Sequence, residues 1–186
     1  MASTTGYVAF LRGVNVGGHA LVKSSDLKKA FETLGLVKVT PVLASGNVVF
    51  ETSDENLADL KLQIENTLKK KFAIRAAAFV RSASQIAQLV ASNPFPRPKS
   101  EVKVHVTFLI REANRGAKFP TRVPAEGFEI VQVSPTELFA AVDLSSNART
   151  PELMRFLEKR FGKEITTRTW NTVEKVAQLL ARIRTP

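Results

Sequence analysis

Two apolar segments joined by a short turn occupy residues 37–51, VKVTPVLASGNVVFE. Both segments are rich in Val, Thr and Phe, which favour extended backbone. The Ala44-Ser-Gly46 sequence between them contains the small and flexible residues of a tight turn. The pattern therefore predicts a β-hairpin with strands at 37–43 and 47–51.

A strand–helix pair is predicted before this hairpin, and a helix–strand pair is predicted after it. The first pair is the apolar run YVAFLRGV at residues 7–14, followed by a helix that Ser24 or Ser25 would cap. The second pair is an amphipathic helix at 54–72 and a strand at 74–80. The order strand, helix, strand, strand, helix, strand is that of a βαββαβ, or ferredoxin-like, unit.

The second half of the chain nearly repeats this order. Its predicted elements are strands at 102–110, 129–133, 138–144 and 165–168, a helix that begins at Thr150-Pro151, and a final helix capped by Asn171. Residues 111–127 lack helical periodicity, so the repeat is weakest there. We expect an α+β fold with two ferredoxin-like repeats, each an antiparallel sheet with helices packed on one face. The expected units are 1–81 and 100–186, joined by a short helix and a Pro-rich hinge at 82–99.

The composition excludes several classes of protein. The 186 residues include no cysteine, which excludes disulfide scaffolds, thiolate nucleophiles and cysteine-ligated metal sites. The two histidines are too few for a His-rich metal site. We expect no metal site, and we also expect no cofactor. No apolar run approaches the roughly 18 residues of a membrane span, and no signal peptide is predicted, so we expect a cytoplasmic protein.

The glycine-rich segment Arg12-Gly-Val-Asn-Val-Gly-Gly18 follows the first predicted strand. Its glycine spacing resembles that of a P-loop, but His19 and Ala20 replace the Lys and Ser/Thr that bind phosphate and magnesium, which excludes a nucleoside triphosphatase. Backbone N–H groups in such a turn can hold an anion, or the glycines can simply allow positive φ. The candidate ligand-binding residues here are Arg12, Asn15, Gly17, Gly18 and Lys23.

Two further segments contain candidate ligand-binding residues. Ser45 and Asn47 would offer a hydroxyl and an amide, although Gly and Asn are also common turn formers. Arg168 precedes the last helix and would bind an anion near exposed helix N–H groups, and Trp170 would stack on a base. The alternative is structural, with Asn171 as the helix cap and Trp170 in the core.

The two histidines define an enzymatic alternative. His19 has a pKa near neutrality as a free side chain and would act as a general base. No orienting carboxylate is evident beside it, and an exposed loop histidine is the simpler interpretation. His105 lies on an alternating strand with Lys103 and Thr107 at the same parity, which predicts a surface position.

Four motifs resemble the DUF1697 family of uncharacterised, mostly bacterial proteins. They are Ala9-Phe-Leu-Arg-Gly-Val-Asn-Val-Gly-Gly18, Ser45-Gly-Asn-Val-Val-Phe50, His105-Val-Thr-Phe-Leu109 and Thr167-Arg-Thr-Trp-Asn-Thr172. The resemblance runs from about Tyr7 to Leu180 and implies an α+β fold with ferredoxin-like repeats. It brings no established activity, so it implies no catalytic residue. The chain departs from the family pattern at Ala44, where Gln is usual, and at Thr169, where Asn is usual.

Three classes of function remain open from the sequence. The first is a binding module for a phosphate-bearing or other anionic ligand, and the second is a small metal-independent enzyme of unknown reaction. The third is a structural or partner-binding protein. The net charge of +10, with 27 basic and 17 acidic residues, also makes weak, non-specific nucleic-acid binding an expected property.

We predict that the protein binds DNA or RNA weakly and without sequence preference, because its positive charge releases counterions from the phosphates. Retention on a polyanion column at low salt, with steep loss as salt is added, is the expected result. Absence of retention at low salt, or tight binding unchanged by salt, would contradict it.

Overall fold

The computed structural model describes residues 4–15, 21–44, 46–54, 56–95, 101–110, 122–123, 127–145 and 149–183. In chain order, the elements of these residues are β1 Thr5–Arg12, α1 Ser24–Glu32, β2 Val37–Val42, β3 Asn47–Thr52, α2 Leu57–Phe72, β4 Ala77–Ser82, α3 Ala83–Ala91, β5 Val102–Leu109, β6 Arg122–Val123, β7 Phe128–Val133, β8 Glu137–Asp143, α4 Thr150–Phe161, β9 Ile165–Thr169 and α5 Trp170–Ile183. They build two sheets, and the predicted α+β class is confirmed.

The first sheet has the strand order β2-β3-β1-β4, with every neighbouring pair antiparallel. This is the order expected of a βαββαβ unit, in which β1 lies between the hairpin strand β3 and the last strand β4. Near its end, β1 pairs Phe10 with Asn47 and Arg12 with Ala77. The end of β1 therefore lies beside both the start of β3 and the start of β4.

Alternation along β1 divides its side chains between two buried faces. Residues of odd number, such as Tyr7, Ala9 and Leu11, share a core with side chains of α1 and α2. Residues of even number, such as Val8 and Phe10, are buried on the opposite face. Because both faces are buried, a one-residue slip of β1 would misplace its entire apolar set.

The second sheet has the order β6-β7-β8-β5-β9, again antiparallel throughout. Without the two-residue strand β6, this order repeats that of the first sheet, with β5 in the place of β1. Where the first unit has helix α1, the described part of the second unit has β6, which pairs with β7. The segment where the repeat was expected to be weakest is therefore where the two units differ.

Helix α4 packs on the second sheet. Its buried residues Leu153 and Leu157 share a core with residues of β7, β8 and β9 and with Leu109 at the end of β5. The helix begins with Pro151 in its first turn, and the Glu152 carboxylate accepts the backbone N–H of Arg149 at 2.9 Å. The predicted proline-led helix start is therefore present.

The chain divides into two compact units, one of Met1–Val90 with Glu174–Pro186 and the other of Ala91–Val173. The bounds predicted from the sequence, 1–81 and 100–186, differ from these mainly in the final helix, which they place in the second unit. Most of α5 belongs with the first unit, because the Leu180 side chain packs beside β1 at Gly6, 3.5 Å from where a Cβ would lie. Ala83 at the start of α3 approaches the same point.

Two predicted helix caps are wrong. Lys23, not Ser24 or Ser25, is the residue before α1, and its carbonyl accepts the N–H groups of Asp26 and Leu27. Helix α5 begins at Trp170, so Asn171 lies inside the first turn and does not cap it. In both places the helix begins earlier than predicted, so the extended residue just before it, Lys23 or Thr169, is at the cap position. Among the described residues, no helix has the length and apolar character required to cross a membrane.

Candidate functional site

The side chain of Asn15 joins the beginning of the β1–α1 connection to the β2–β3 turn. Its Nδ2 donates to the Ala44 carbonyl at 3.0 Å and to the Val22 carbonyl at 3.2 Å. Its Oδ1 accepts the Val22 N–H at 2.8 Å. We call Asn15 with Val22 and Ala44 the asparagine clasp. Both amide donors are used within the protein, so the role of Asn15 shown by the structure is to hold two backbone segments together.

Backbone with positive φ is concentrated around the asparagine clasp. Gly13, Asn15, Leu43 and Gly46 have φ of 85°, 56°, 58° and 70°. Gly46 needs its missing side chain as well, because a Cβ there would lie 3.2 Å from both Cβ and O of Leu11. Two of the family-like motifs, the glycine-rich segment after β1 and the turn before β3, therefore meet in space.

Three cationic residues have their main chain next to this meeting point. Arg12 is the half-buried last residue of β1, and Lys23 is exposed and directly follows Val22. Arg75 is exposed, and its carbonyl oxygen lies 3.0 Å from the position of a Cβ on Gly13. We call Arg12, Lys23 and Arg75 the cationic edge. Asp26, in the first turn of α1, is the acidic residue nearest to Lys23 in the chain.

Sequence reasoning missed Arg75. The residue lies far from Arg12 along the chain, in no motif, just before β4. Only the antiparallel pairing of β1 with β4, which sets Arg12 opposite Ala77, brings Arg75 close to Gly13. The sequence-level signal that was available was the predicted βαββαβ order, in which the first and last strands are neighbours.

Asn47 has a structural position in the hairpin. The side chain is fully buried, and its Nδ2 donates to the Val42 carbonyl at 2.9 Å. Asn47 also pairs with Val42 in the β2–β3 register, so the amide closes the hairpin next to its turn. The other predicted candidates of this unit, Gly17, Gly18, Ser45 and His19, lie outside the described residues.

Arg168, Trp170 and Asn171 belong to the second unit. The Arg168 guanidinium donates to Thr166 Oγ1 at 2.9 Å and to the Thr167 carbonyl at 2.8 Å, and burial lowers its pKa to about 10. Trp170 is buried and makes an edge-on contact with Phe95, with ring centroids 5.7 Å apart. Asn171 is exposed. The indole therefore has the position that the structural alternative assigned to it, inside the core.

His105 is buried, with 1% of its surface exposed, and the predicted surface position is wrong. The start of α4 covers this strand face, and Thr150 Oγ1 lies 3.1 Å from His105 Nε2. Nδ1 lies 3.1 Å from the Lys103 carbonyl oxygen. A carbonyl oxygen can only accept a hydrogen bond, so Nδ1 carries the proton and donates it. In the neutral ring, Nε2 therefore accepts the Thr150 hydroxyl. Burial lowers the pKa of His105 from 6.5 to about 4, so the ring is neutral at physiological pH.

A set of threonines continues this polar arrangement. Thr107 and Thr167 are cross-strand partners of β5 and β9, and their hydroxyls share a hydrogen bond of 2.8 Å. The Thr169 and Thr172 hydroxyls are 2.9 Å apart where β9 continues into α5. Across the described residues, every fully buried side-chain nitrogen and oxygen has a hydrogen-bond partner. These groups therefore satisfy one another, as a structural polar network does.

The comparisons with known proteins agree with this architecture. The family model described as "Protein of unknown function (DUF1697)" matches residues 4–139. The chain belongs to the DUF1697 family. Its fold is similar to that of a conserved bacterial protein, SP0830 from Streptococcus pneumoniae, with a TM-score of 0.71 and 21% sequence identity over 96% of this chain and 99% of that one. No curated protein matches the sequence.

The family-like motifs of this DUF1697 protein form two pairs, one in each unit. In the first unit the pair meets at the asparagine clasp. In the second unit the motifs beginning at His105 and Thr167 are neighbouring antiparallel strands. The described residues contain no group of three or more His, Cys, Asp or Glu side chains arranged to bind a metal ion. The surface pair, at the asparagine clasp, is therefore the candidate functional site.

We predict that Asn15→Gly lowers the free energy of unfolding by about 2 kcal/mol, because three hydrogen bonds are lost while the positive φ is retained. Asn56→Gly is the matched control, since it removes the side chain that caps α2 and a Gly cap costs only a few tenths of a kcal/mol. Urea unfolding of both variants measures the difference. Equal losses would contradict the structural role of the asparagine clasp.

We also predict that His105 makes the protein less stable as the pH falls from about 6.5 to about 4. The unfolded chain protonates this histidine below 6.5, whereas the folded chain resists protonation until about 4. The expected loss at the acid end is up to about 3 kcal/mol, from about 1.4 kcal/mol per pKa unit. His105→Gln lacks this titration, so the difference between wild type and variant should change across that window. A pH-independent difference would refute the prediction.

Proposed function

We propose that this DUF1697 protein is a binding module for a phosphate-bearing or other anionic ligand, which it contacts through the cationic edge of the first unit. The observation that supports the proposal is the asparagine clasp. The Asn15 side chain binds both Val22, which precedes Lys23, and the β2–β3 turn. This turn lies beside β1, and β1 ends at Arg12. Arg12 and Lys23, which are separated along the chain, thereby adjoin one hydrogen-bonded backbone arrangement.

Rigidity on both sides of the β1–α1 connection supports binding. Val14 is buried in the first core and Val22 packs against the same core, so both sides of the connection are anchored. A site whose groups are held in place before binding loses less conformational entropy when the ligand arrives. The side-chain chemistry is also suitable, because the Arg12 and Arg75 guanidinium groups can each form paired hydrogen bonds with phosphate oxygens.

The residues of the second unit are not part of the proposed site. Arg168 directs two hydrogen bonds to its own strand, and Trp170 is enclosed by aromatic side chains. His105 has both ring nitrogens engaged inside the protein. We therefore assign no reaction, and the enzymatic alternative through His19 gains no support from the described residues.

We predict that Arg75→Ala weakens the binding of inorganic pyrophosphate at least about fivefold, in line with the loss of one charge-assisted contact. Because Arg75 is exposed, the free energy of unfolding should change by no more than about 0.5 kcal/mol. Lys70→Ala is the matched control, since it removes one exposed positive charge from the last turn of α2. Isothermal titration calorimetry at low salt measures all three proteins.

Two further variants extend the test. Arg12→Lys retains the charge but loses the planar fork, so its affinity should fall between those of wild type and Arg12→Ala. A thermal melt of each variant separates lost binding from lost folding. The proposal fails if wild type does not bind pyrophosphate at low salt. It also fails if Lys70→Ala loses as much affinity as Arg75→Ala, because the binding would then depend on net charge alone.

A further inference from the structure

Two exposed leucines lie beside the asparagine clasp. Leu21 precedes Val22 and is 71% exposed, and Leu43 precedes Ala44 and is 49% exposed. Since the Val22 and Ala44 carbonyls both accept from the amide of Asn15, the main chain next to each leucine meets at the asparagine clasp. Exposed leucines are ordinary when scattered, but these two occur next to a candidate anion site.

The backbone at Leu43 makes this placement more unusual. Its φ of 58° is in the left-handed region, where glycine and asparagine are favoured and a branched apolar residue is disfavoured. Exposure of an apolar side chain to water and a left-handed backbone are thus both unfavourable for a leucine at position 43. Strained residues of this kind are concentrated at functional sites, including ligand-binding sites.

We propose that the ligand is a phosphate ester whose alcohol part is apolar or aromatic. Its phosphate binds the cationic edge, and its apolar part covers Leu21 and Leu43. This inference rests on the proposed function, because the anion site positions the ester. A polymer of phosphates binds mainly to positive charge and would not require apolar side chains at the same place. A small organic phosphate would use both the charges and the leucines, so it is the favoured ligand.

The test compares two probes with the same phosphate group, phenyl phosphate and methyl phosphate. We expect wild type to bind phenyl phosphate about tenfold more tightly, as burial of a phenyl ring against two leucine side chains would produce. The variants Leu21→Gln and Leu43→Asn should each reduce this preference about threefold or more, with methyl phosphate affinity unchanged. Asparagine tolerates positive φ, so Leu43→Asn should fold as well as wild type.

Leu62→Gln is the matched control, because Leu62 is 53% exposed on the solvent side of α2. It should leave the binding of both probes unchanged. Equal affinity of wild type for the two probes would overturn this inference and leave the proposed function standing. The inference would also be overturned if Leu62→Gln reduced the preference for phenyl phosphate as much as Leu21→Gln and Leu43→Asn do. Binding of wild type only to vesicles containing anionic phospholipid would overturn it as well. If wild type bound neither phenyl phosphate, nor methyl phosphate, nor pyrophosphate, both proposals would be overturned.

Discussion

Strand β1 is hydrogen-bonded along both edges and buried on both faces, so its position determines where the surrounding loops begin. The fixed position of β1 also restricts where the residues that follow it can lie. Gly13 passes close to the backbone of Arg75, and Asn15 reaches the β2–β3 turn. Both residues have left-handed backbone, which glycine adopts readily and asparagine tolerates. The cationic edge exists because β1 ends where β3 and β4 begin.

The asparagine clasp places no demand on the side chain at position 44. Ala44 takes part through its main-chain carbonyl, which every residue has. Thr169, by contrast, takes part through its side chain, whose hydroxyl shares a hydrogen bond with that of Thr172. At these two positions, where the resemblance is imperfect, the described contacts therefore depend on the main chain in one case and on a hydroxyl in the other.

In the second unit, His105 and several threonines have their polar groups inside the protein. Burial of His105 is unfavourable for the charged ring, and the protein meets that cost with a neutral ring that donates at Nδ1 and accepts at Nε2. The Thr107–Thr167 hydroxyl pair does the same for the neighbouring register of β5 and β9. Such a network favours one strand register over its alternatives, because a shifted register would leave the hydroxyls and the imidazole unpaired.

Local patterns in the sequence were sufficient for the α+β class, the two hairpins and the similarity of the two halves, since side-chain periodicity and turn residues act over a few positions. They also gave Trp170 a structural alternative in the core and grouped His105 with Thr107 on one strand face, although that face was expected at the surface. Burial of His105, the partners of Asn15 and the position of Arg75 depended on tertiary structure. Each of these requires a residue distant in sequence: α4 covers His105, the turn at Ala44 accepts from Asn15, and strand pairing carries Arg75 to Gly13. Periodicity specifies which face a side chain occupies, but only packing decides what covers that face.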